Sequence, residues 1–282
     1  MPAVKRKLKT VSAAKLQGLK PWLDELASRI EQPGYIEKDP VCFMHAFQDK
    51  NDREIAGFLA AIMAWGRRDI VLRKVDELLA RMDYQPAAFT GNYTDSDSRR
   101  LTGFRHRTFT ESDLHWLIQC LHTVLQRYGS IEALWQEAFN VAGNAGPAMI
   151  TTFHDRFFGD YFTGPRRVRK HVSTGEKMSS CKRLWLYLRW CIRKNSVVDP
   201  GTMSFIPPSM LMIPLDVHVA RHARRLGLLE RQANDWLAAE ELTTRLKKLD
   251  PEDPARYDYA LFGVGISEES VPAEYLLNPW YK

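Results

Sequence analysis

Apolar residues recur three or four positions apart along most of the chain, and Gly and Pro mark the ends of these segments. That spacing places apolar side chains on one face of a helix, whereas the strict alternation typical of half-buried strands is rare. The pattern therefore predicts an all-α protein with about ten helices. The predicted helices cover residues 16–30, 53–65, 71–82, 112–128, 131–141, 149–161, 179–194, 216–226, 237–249 and 254–264.

The predicted helix at 53–65 is almost entirely apolar after a charged start. About a dozen residues are too few to span a membrane, which needs about 20, so we expect a buried central helix and no membrane partner. Residues 83–110 and 195–215 are rich in turn formers, and we expect irregular connections there. Residues 1–15 are expected to form a basic tail, and residues 16–282 a single helical domain.

The charge balance is basic, with 40 Lys and Arg residues against 34 Asp and Glu residues and a formal net charge of +6. Such a surplus favours a polyanionic partner such as nucleic acid. Two basic runs, 99–107 and 166–171, and the arginines within 221–225 are candidate phosphate contacts. Each run alone is typical of a solvated surface, but three runs on a basic chain fit phosphate binding better.

Four cysteines, at positions 42, 120, 181 and 191, are widely spaced and include no Cys-x-x-Cys pair. This spacing predicts neither a zinc site nor a disulfide framework, and free thiols in a reducing cytosol are the simplest interpretation. We therefore expect a cytoplasmic, nucleoid-associated protein without a metal or another cofactor.

Asp216 follows Pro214 and directly precedes a predicted helix. Its simplest role is an N-cap, in which the carboxylate accepts backbone N–H groups of the first turn and lies at the positive end of the helix dipole. A capping carboxylate is also held rigidly, which is what an electrostatic catalyst needs. The local sequence is compatible with the structural role alone and with both roles together.

The stretch Leu215-Asp-Val-His-Val-Ala-Arg, followed by Arg225-Leu-Gly-Leu, resembles the Val-Asp-Thr-His-Val-x-Arg…Arg-Leu-Gly-Leu signature of the helix-hairpin-helix DNA glycosylase superfamily. The resemblance implies a glycosylase-like fold of two helical subdomains flanking a cleft. It also implies that Asp216 stabilises the cationic sugar formed when a base leaves. We expect His218 and Arg221, which match the signature in register, to contact DNA.

Many superfamily members carry a nucleophilic lysine in a hairpin 18 residues before the aspartate, but that position is Val198 here and the hairpin is absent. Lys182, which lies 34 residues before Asp216, is the best alternative, because the archaeal 8-oxoguanine glycosylases resemble this chain in placing their lysine early on a long aromatic helix. Apolar surroundings disfavour an ammonium and favour the free amine that forms a Schiff base. Equally open is the alternative that Lys182 reaches solvent or pairs with Glu176.

The turn Trp65-Gly66-Arg67 ends the apolar helix where several superfamily members have a Gln-containing turn that fills the gap left by a flipped base. A core Trp beside a solvated Arg is the simpler interpretation. With the segments 104–109 and 257–265, the closest resemblance is to an uncharacterised bacterial family, domain of unknown function 2400, over most of residues 40–266. No Cys follows position 191, so we do not expect the C-terminal iron–sulfur cluster of some superfamily members.

These features together favour a monomeric base-excision DNA glycosylase, with or without AP lyase activity, acting on a damaged base in duplex DNA. An oxidised purine is the first candidate base, and Lys182 and Asp216 are the expected catalytic residues. The rival hypothesis is a non-catalytic DNA-binding protein that retains the fold, and a third is an all-α protein that recognises something other than DNA. The expected DNA contacts are Arg67, Arg105, His106, Arg166, Arg167, Arg169, Lys170, His218 and Arg221.

Overall fold

The computed structural model describes residues 7–266 and 271–281, and within them the regular secondary structure is almost entirely helical, which confirms the predicted all-α class. The helices within these ranges are α1 Ala13–Ile30, α2 Pro33–Ile36, α3 Cys42–His45, α4 Lys50–Met63, α5 Arg68–Arg81, α6 Pro86–Gly91, α7 Glu111–Tyr128, α8 Ile131–Ala142, α9 Pro147–Phe158, α10 Lys182–Ile192, α11 Val217–Leu226, α12 Trp236–Leu246 and α13 Tyr257–Ile266. Short 3-10 turns lie at Asp95–Leu101, Arg166–His171, Gly175–Lys177, Pro208–Met210, Pro254–Arg256 and Ala273–Tyr275. None of the helices in these ranges combines the length and the apolar composition needed to cross a membrane.

A small hairpin interrupts the segment that was expected to be irregular. Its strands, β1 (Arg105–His106) and β2 (Phe109–Thr110), are antiparallel, with Arg105 opposite Thr110 and His106 opposite Phe109. Arg107 begins the tight connection with a φ of 55°, the left-handed region that non-glycine residues rarely adopt. Strands of two residues are too short to produce an alternating pattern, so the sequence did not predict them.

The chain divides into two compact units. Unit 1 holds the described residues of Met1–Gln32, Met178–Trp185 and Pro208–Lys282, and unit 2 holds Pro33–Lys177 and Leu186–Pro207. Helix α10 therefore begins in unit 1 and continues in unit 2. The single domain expected over residues 16–282 stays a prediction.

Unit 2 is organised around α4, whose residues from Glu54 to Met63 are all buried, so the predicted central helix is confirmed. Its core is aromatic: the ring of Trp135 on α8 stacks on that of Phe153 on α9, with centroids 3.7 Å apart. Phe58 on α4 meets Tyr187 on α10 edge to face at 5.5 Å. Such pairs contribute about 0.5–1.5 kcal/mol each beyond the burial of their area, so they stabilise the packing of α8 on α9 and of α4 on α10.

Unit 1 is organised around α13, which packs against α1 and α11. The hydroxyl of Tyr257 donates a hydrogen bond to the carboxylate of Asp24 on α1 at 2.7 Å. The two helices approach closely at Gly263, where a Cβ would lie 2.7 Å from Cγ1 of Ile30. Trp185 at the start of α10 and Trp236 at the start of α12 are both buried, with ring centroids 6.1 Å apart.

The amino-terminal segment differs from the basic tail expected over residues 1–15. Residues 1–6 lie outside the described residues, but Leu8 and Val11 are buried and α1 already begins at Ala13. The backbone N–H of Lys9 donates to the side-chain oxygen of Asn278 at 2.9 Å. The segment is held on unit 1 by this hydrogen bond and by the burial of its two apolar side chains, which lie three positions apart.

The predicted helix at 179–194 begins three residues later than expected, at Lys182. The backbone turns through positive φ at Met178 (51°) and Cys181 (49°), and neither conformation continues a right-handed helix. Ser179 instead forms an antiparallel bridge with Asp235. This bridge ties the start of α10 to the start of α12.

Candidate functional site

Asp216 is the N-cap of α11, as its position before the helix predicts. Its Oδ1 accepts the backbone N–H groups of His218 and Val219, each at 2.8 Å, and its own backbone is extended. The carboxylate therefore lies at the positive end of the helix dipole, which stabilises its negative charge.

The two oxygens of Asp216 have different surroundings. Both capping hydrogen bonds use Oδ1, and within the described residues Oδ2 accepts none from a protein group. The residue is half-buried. One oxygen thus fixes the orientation of the carboxylate, and the other is available to a ligand.

Arg221 lies between two histidines on the same helix. Its Nη2 is 3.4 Å from Nδ1 of His218 and 3.3 Å from Nε2 of His222. Because a guanidinium only donates, both ring nitrogens are acceptors, which the neutral imidazoles provide. Burial, followed by the charges of Arg221 and Arg225, lowers the pKa of His222 to about 4. In the described part of unit 1 no carboxylate lies within 4 Å of the guanidinium, so Arg221 offers an uncompensated positive charge four residues beyond the start of α11.

Arg224 has a structural role in place of the phosphate contact that its basic run suggests. It is only 3% exposed, and its guanidinium donates to the backbone oxygens of Arg231, Gln232 and Ala233 and to the side chain of Asn234, at 2.7–3.2 Å. It therefore organises the connection between α11 and α12.

Lys182 is the first residue of α10 and is half-buried. Cys181 before it and Leu184 two positions after it are buried, and no carboxylate in the described part of unit 1 lies within 4 Å of its ammonium nitrogen. Lys182 and Asp216 thus belong to the same unit, and each stands at the amino end of a helix.

In unit 2 the hairpin packs on the turn Trp65-Gly66. The ring of His106 lies edge to face with Trp65 at 5.3 Å, and its Nε2 is 3.2 Å from the backbone oxygen of Trp65. The guanidinium of Arg107 lies over the same indole at 4.9 Å. Two segments that the sequence singled out separately are therefore in contact.

His106 and Arg105 have opposite exposures. His106 is 1% exposed, and burial lowers its pKa, so its ring packs beneath the hairpin in the neutral form. Arg105 and Arg107 are exposed. The alternation of the hairpin thus turns the arginines to solvent and the histidine to the interior, which separates His106 from the phosphate contacts expected with it.

The second basic run, the 3-10 turn Arg166–His171, joins the same hairpin. Arg167 donates from Nη2 to the hydroxyl of Thr110 at 2.8 Å and to the buried carboxylate of Asp113 at 2.7 Å. Arg169 is half-buried over the rings of Phe158 and Phe162. Arg166 and Lys170 are exposed.

These contacts make one basic surface from three separate sequence segments. Gly66 has a φ of 104°, and a Cβ there would lie 2.7 Å from Nη1 of Arg107. Arg67 follows Gly66 with its side chain 81% exposed, and it pairs with Asp69. We call this the hairpin surface, formed by Arg67, Arg105, Arg107, Arg166, Arg167 and Lys170. This surface depends on the contact between Trp65 and Arg107, which lie 42 positions apart in the sequence. No local sequence pattern predicts that contact.

Two other kinds of reactive group carry none of the roles described above. Cys42, Cys120 and Cys181 form no disulfide bond, and burial raises the pKa of their thiols to about 11, 12 and 12, so they remain protonated near neutral pH. Glu54 is fully buried, and burial raises its pKa to about 7. Among the residues described, no three His, Cys, Asp or Glu side chains come together as a metal ion would require.

The comparisons with known proteins place the chain in one family. No curated protein and no solved structure matches it. A family model described as "Protein of unknown function (DUF2400)" matches residues 39–267, which include Lys182, Asp216 and the whole hairpin surface. Since the match covers most of the sequence, the chain belongs to the DUF2400 family.

Proposed function

We propose that the protein is a base-excision DNA glycosylase that removes a damaged base, first of all an oxidised purine, from duplex DNA. The observation that carries the proposal is the divided carboxylate of Asp216, in which Oδ1 is fixed by two backbone N–H groups and Oδ2 has no protein donor. Because residues 213–229 resemble the helix-hairpin-helix glycosylases, we interpret this carboxylate as the one that acts in catalysis.

Asp216 would act on the sugar. Cleavage of the bond between C1′ and the base leaves an oxocarbenium-like cation, which a fixed carboxylate stabilises without any reorganisation. Because the cap holds Oδ1, the carboxylate keeps its position while Oδ2 faces the developing charge.

Lys182 would supply the nucleophile of a lyase step. The amine attacks C1′, the glycosidic bond breaks, and the base leaves with the bonding electrons and takes up a proton. The attacking nitrogen loses its proton to Asp216, ring opening gives a Schiff base, and β-elimination then releases the 3′ phosphate. The absence of a paired carboxylate around Lys182 in unit 1 suits this role.

DNA binding would use arginine side chains whose positive charge is not paired with a carboxylate of the described residues. A glycosylase must hold the backbone while it extrudes the nucleotide, and phosphate contacts from Lys and Arg supply most of that affinity. Arg105 and Arg107 on the hairpin surface and Arg221 on α11 have this character.

Borohydride trapping tests the proposal. The wild-type protein is incubated with duplex DNA that contains 8-oxoguanine, and sodium borohydride is added to reduce any Schiff base to a stable adduct. We expect an adduct with the wild type and with Lys177→Gln, an exposed lysine nearby in sequence, and none with Lys182→Gln. An adduct that persists in Lys182→Gln would contradict the assignment of the nucleophile.

The role of Asp216 is tested with Asp216→Asn, because Asn caps a helix about as well as Asp but carries no charge. We expect a loss of roughly 10²–10³-fold in the rate of base release with an unchanged melting temperature. Asp235→Asn is the matched control, since Asp235 is the N-cap of α12 in the same unit. Equal rates for the wild type and Asp216→Asn would contradict the catalytic role.

The second candidate is a DNA-binding protein without catalysis. The observation that favours it is that the two capping bonds already give Asp216 a structural role. It predicts salt-sensitive binding of duplex DNA with no base release from any lesion, and an Asp216→Asn variant that binds like the wild type.

A further inference from the structure

A cleft of about 440 Å³ lies wholly within unit 2, and none of the residues that line it is given a role in catalysis or DNA binding above. It is formed by the segment that follows α6, by one face of α7 and by the segment that follows α9. Its volume suits a ligand of the size of a nucleoside, since small-molecule sites measure about 300–1,000 Å³.

The walls of the cleft are aromatic. Tyr93, Trp116, Tyr161 and Phe162 line it, and the rings of Trp116 and Phe162 meet edge to face at 5.6 Å. Planar rings of this kind bind flat heterocycles by stacking, at about 1–3 kcal/mol per base. The walls thus favour a planar aromatic ligand.

Within the described residues, three polar side chains of the cleft keep an acceptor atom that has no protein donor. The Gln119 side chain donates from Nε2 to Oδ1 of Asp95 at 2.9 Å. Oε1 of Gln119 and Oδ2 of Asp95 remain as acceptors for a ligand. Thr123 donates its hydroxyl proton to the backbone oxygen of Gln119. His122 lies with Nδ1 3.0 Å from the backbone oxygen of Thr90, so Nδ1 carries the proton and Nε2 accepts in the neutral ring. A matching ligand therefore presents donors.

Among the nucleobases, only guanine presents two adjacent donors, the ring N1–H and the exocyclic amino group. Adenine and cytosine place a ring acceptor beside their amino group, and thymine flanks its N3–H with two carbonyls. An acceptor that faces the Asp95 carboxylate loses its hydrogen bond to water and gains none. The carboxylate with its two oxygens fits the guanine edge.

Two arginines that do not line the cleft lie against rings of its walls, and their positive charge distinguishes a nucleotide from an organic cation. The guanidinium of Arg127 lies 4.6 Å from the ring centroid of Tyr161, and that of Arg169 lies 5.1 Å from that of Phe162. In the described residues no carboxylate lies within 4 Å of either guanidinium. These charges disfavour a cationic ligand and attract a phosphate.

We propose that this cleft binds a guanine nucleotide, with the base between the aromatic walls, its donor edge on Asp95 and its phosphate toward Arg127. Cys120 also lines the cleft, but its thiol is buried and protonated and contributes only packing. The site does not depend on the glycosylase proposal, because it shares no residue with Lys182, Asp216 or the hairpin surface.

Calorimetric titration of the full-length protein tests the site. We expect GMP to bind roughly tenfold more tightly than IMP, which lacks the amino group, and than AMP, which presents an acceptor. The Lys182→Gln variant should give the same result, which separates this site from the proposed catalysis. Equal binding of the three nucleotides, no binding of any of them together with no binding of guanine-containing DNA, or binding of methylguanidinium in preference to GMP would overturn the proposal.

Variants locate the binding. Asp95→Asn and Trp116→Leu should each weaken GMP binding by about tenfold. Glu240→Gln and Trp22→Leu are the matched controls, an exposed carboxylate on α12 and a half-buried Trp on α1, and both should bind GMP as the wild type does. Should Asp95→Asn or Trp116→Leu fail to fold, the ranking of GMP, IMP and AMP on the wild-type protein still decides the question.

The guanine can belong to a free nucleotide or to an unpaired nucleotide of a DNA strand, and a second titration distinguishes these sources. Hairpin DNA with one unpaired guanine is compared with the same hairpin that carries an unpaired adenine. Preference for the guanine hairpin that GMP competes away assigns both forms to this cleft. Preference for the hairpin with no binding of GMP assigns the DNA form, and binding of GMP without preference between the hairpins assigns the free nucleotide.

Discussion

The guanidinium of Arg107 lies 4.9 Å from the ring centroid of Trp65, and Arg107 itself has a φ of 55°. A left-handed conformation costs a non-glycine residue on the order of 1 kcal/mol or more, so the surrounding contacts must hold it. The buried His106 beneath and the indole beside it provide these contacts. The hairpin therefore presents Arg107 in one orientation.

Replacing Arg107 with Ala should weaken binding to undamaged duplex DNA by about three- to tenfold and reduce the slope of log K against log salt by about one. The physical reason is the loss of one oriented phosphate contact. The measurement is fluorescence anisotropy at several salt concentrations. Arg73→Ala, an exposed arginine on α5 outside both basic runs, is the control, and equal effects of the two variants would contradict the prediction.

Glu54 should make the protein less stable as the pH rises. Burial raises its pKa to about 7 from 4.5, so between these values the folded state holds a proton that the unfolded state has lost. The stability that Glu54 contributes to the folded state is fully present below pH 4.5 and is lost as the pH rises through 7. We expect Glu54→Gln, which resembles the protonated acid, to be more stable than the wild type by about 3 kcal/mol at pH 8 and nearly equal at pH 4.5.

Urea unfolding at the two pH values measures this difference. Glu137→Gln, a more exposed glutamate on α8, should leave the pH dependence unchanged. If Glu54→Gln shows the same loss of stability between pH 4.5 and 8 as the wild type, Glu54 is not its source.

His222 should have the opposite effect. Its pKa is lowered to about 4 from 6.5, mainly by burial and then by Arg221, Arg225 and His218, so between these values the unfolded state binds the extra proton. Its contribution is present above pH 6.5 and is lost as the pH falls through 4, which amounts to about 2 kcal/mol. We expect His222→Gln to remove this acid sensitivity. Calorimetric melting at pH 4.5 and 7 checks it, and an undiminished fall in the melting temperature of the variant at pH 4.5 would contradict it.

Gly227, the C-cap of α11, should tolerate no side chain. Its φ is 76°, and a Cβ would lie 2.5 Å from Cδ2 of Leu277 and 3.0 Å from the backbone oxygen of Lys9. Gly227→Ala should therefore cost about 2–3 kcal/mol. Gly129 is the matched control, because it caps α7 at a φ of 78° with open space around it, and Gly129→Ala should cost only about 1 kcal/mol. Similar costs in chemical denaturation would mean that backbone strain alone, and not the contact with Leu277 and Lys9, determines the loss at Gly227.

Most of the helices could be predicted because their signals are local. The apolar run of α4, the cap at Asp216 and the glycine at 227 each act within a few residues, and the structure confirms all three. The start of α10 could not be predicted, because it depends on a backbone bridge between Ser179 and Asp235, far apart in sequence. The burial of Leu8 and Val11 depends in the same way on distant partners at Gly227 and Asn278.

For the candidate site, residue types could be predicted but their environments could not. The sequence identified Arg105, His106 and Arg167 as one chemical class, whereas the fold exposes the first, buries the second and pairs the third with Asp113. The first two outcomes depend on which face of a two-residue strand is turned inward, and the third depends on a contact between residues 54 positions apart in the sequence. The roles of Lys182 and Asp216 in catalysis stay predictions.

The division of the chain has a consequence for the order of folding during synthesis. All of unit 2 has been made once the ribosome reaches Pro207, whereas α1 of unit 1 must wait for α13. At about 5–20 residues per second this delay is on the order of ten seconds or more. During that time the apolar face of α1, which includes Leu19 and Leu23, has no native partner in α13 to cover it. We therefore expect the nascent chain, more than the finished protein, to be the form that needs a chaperone.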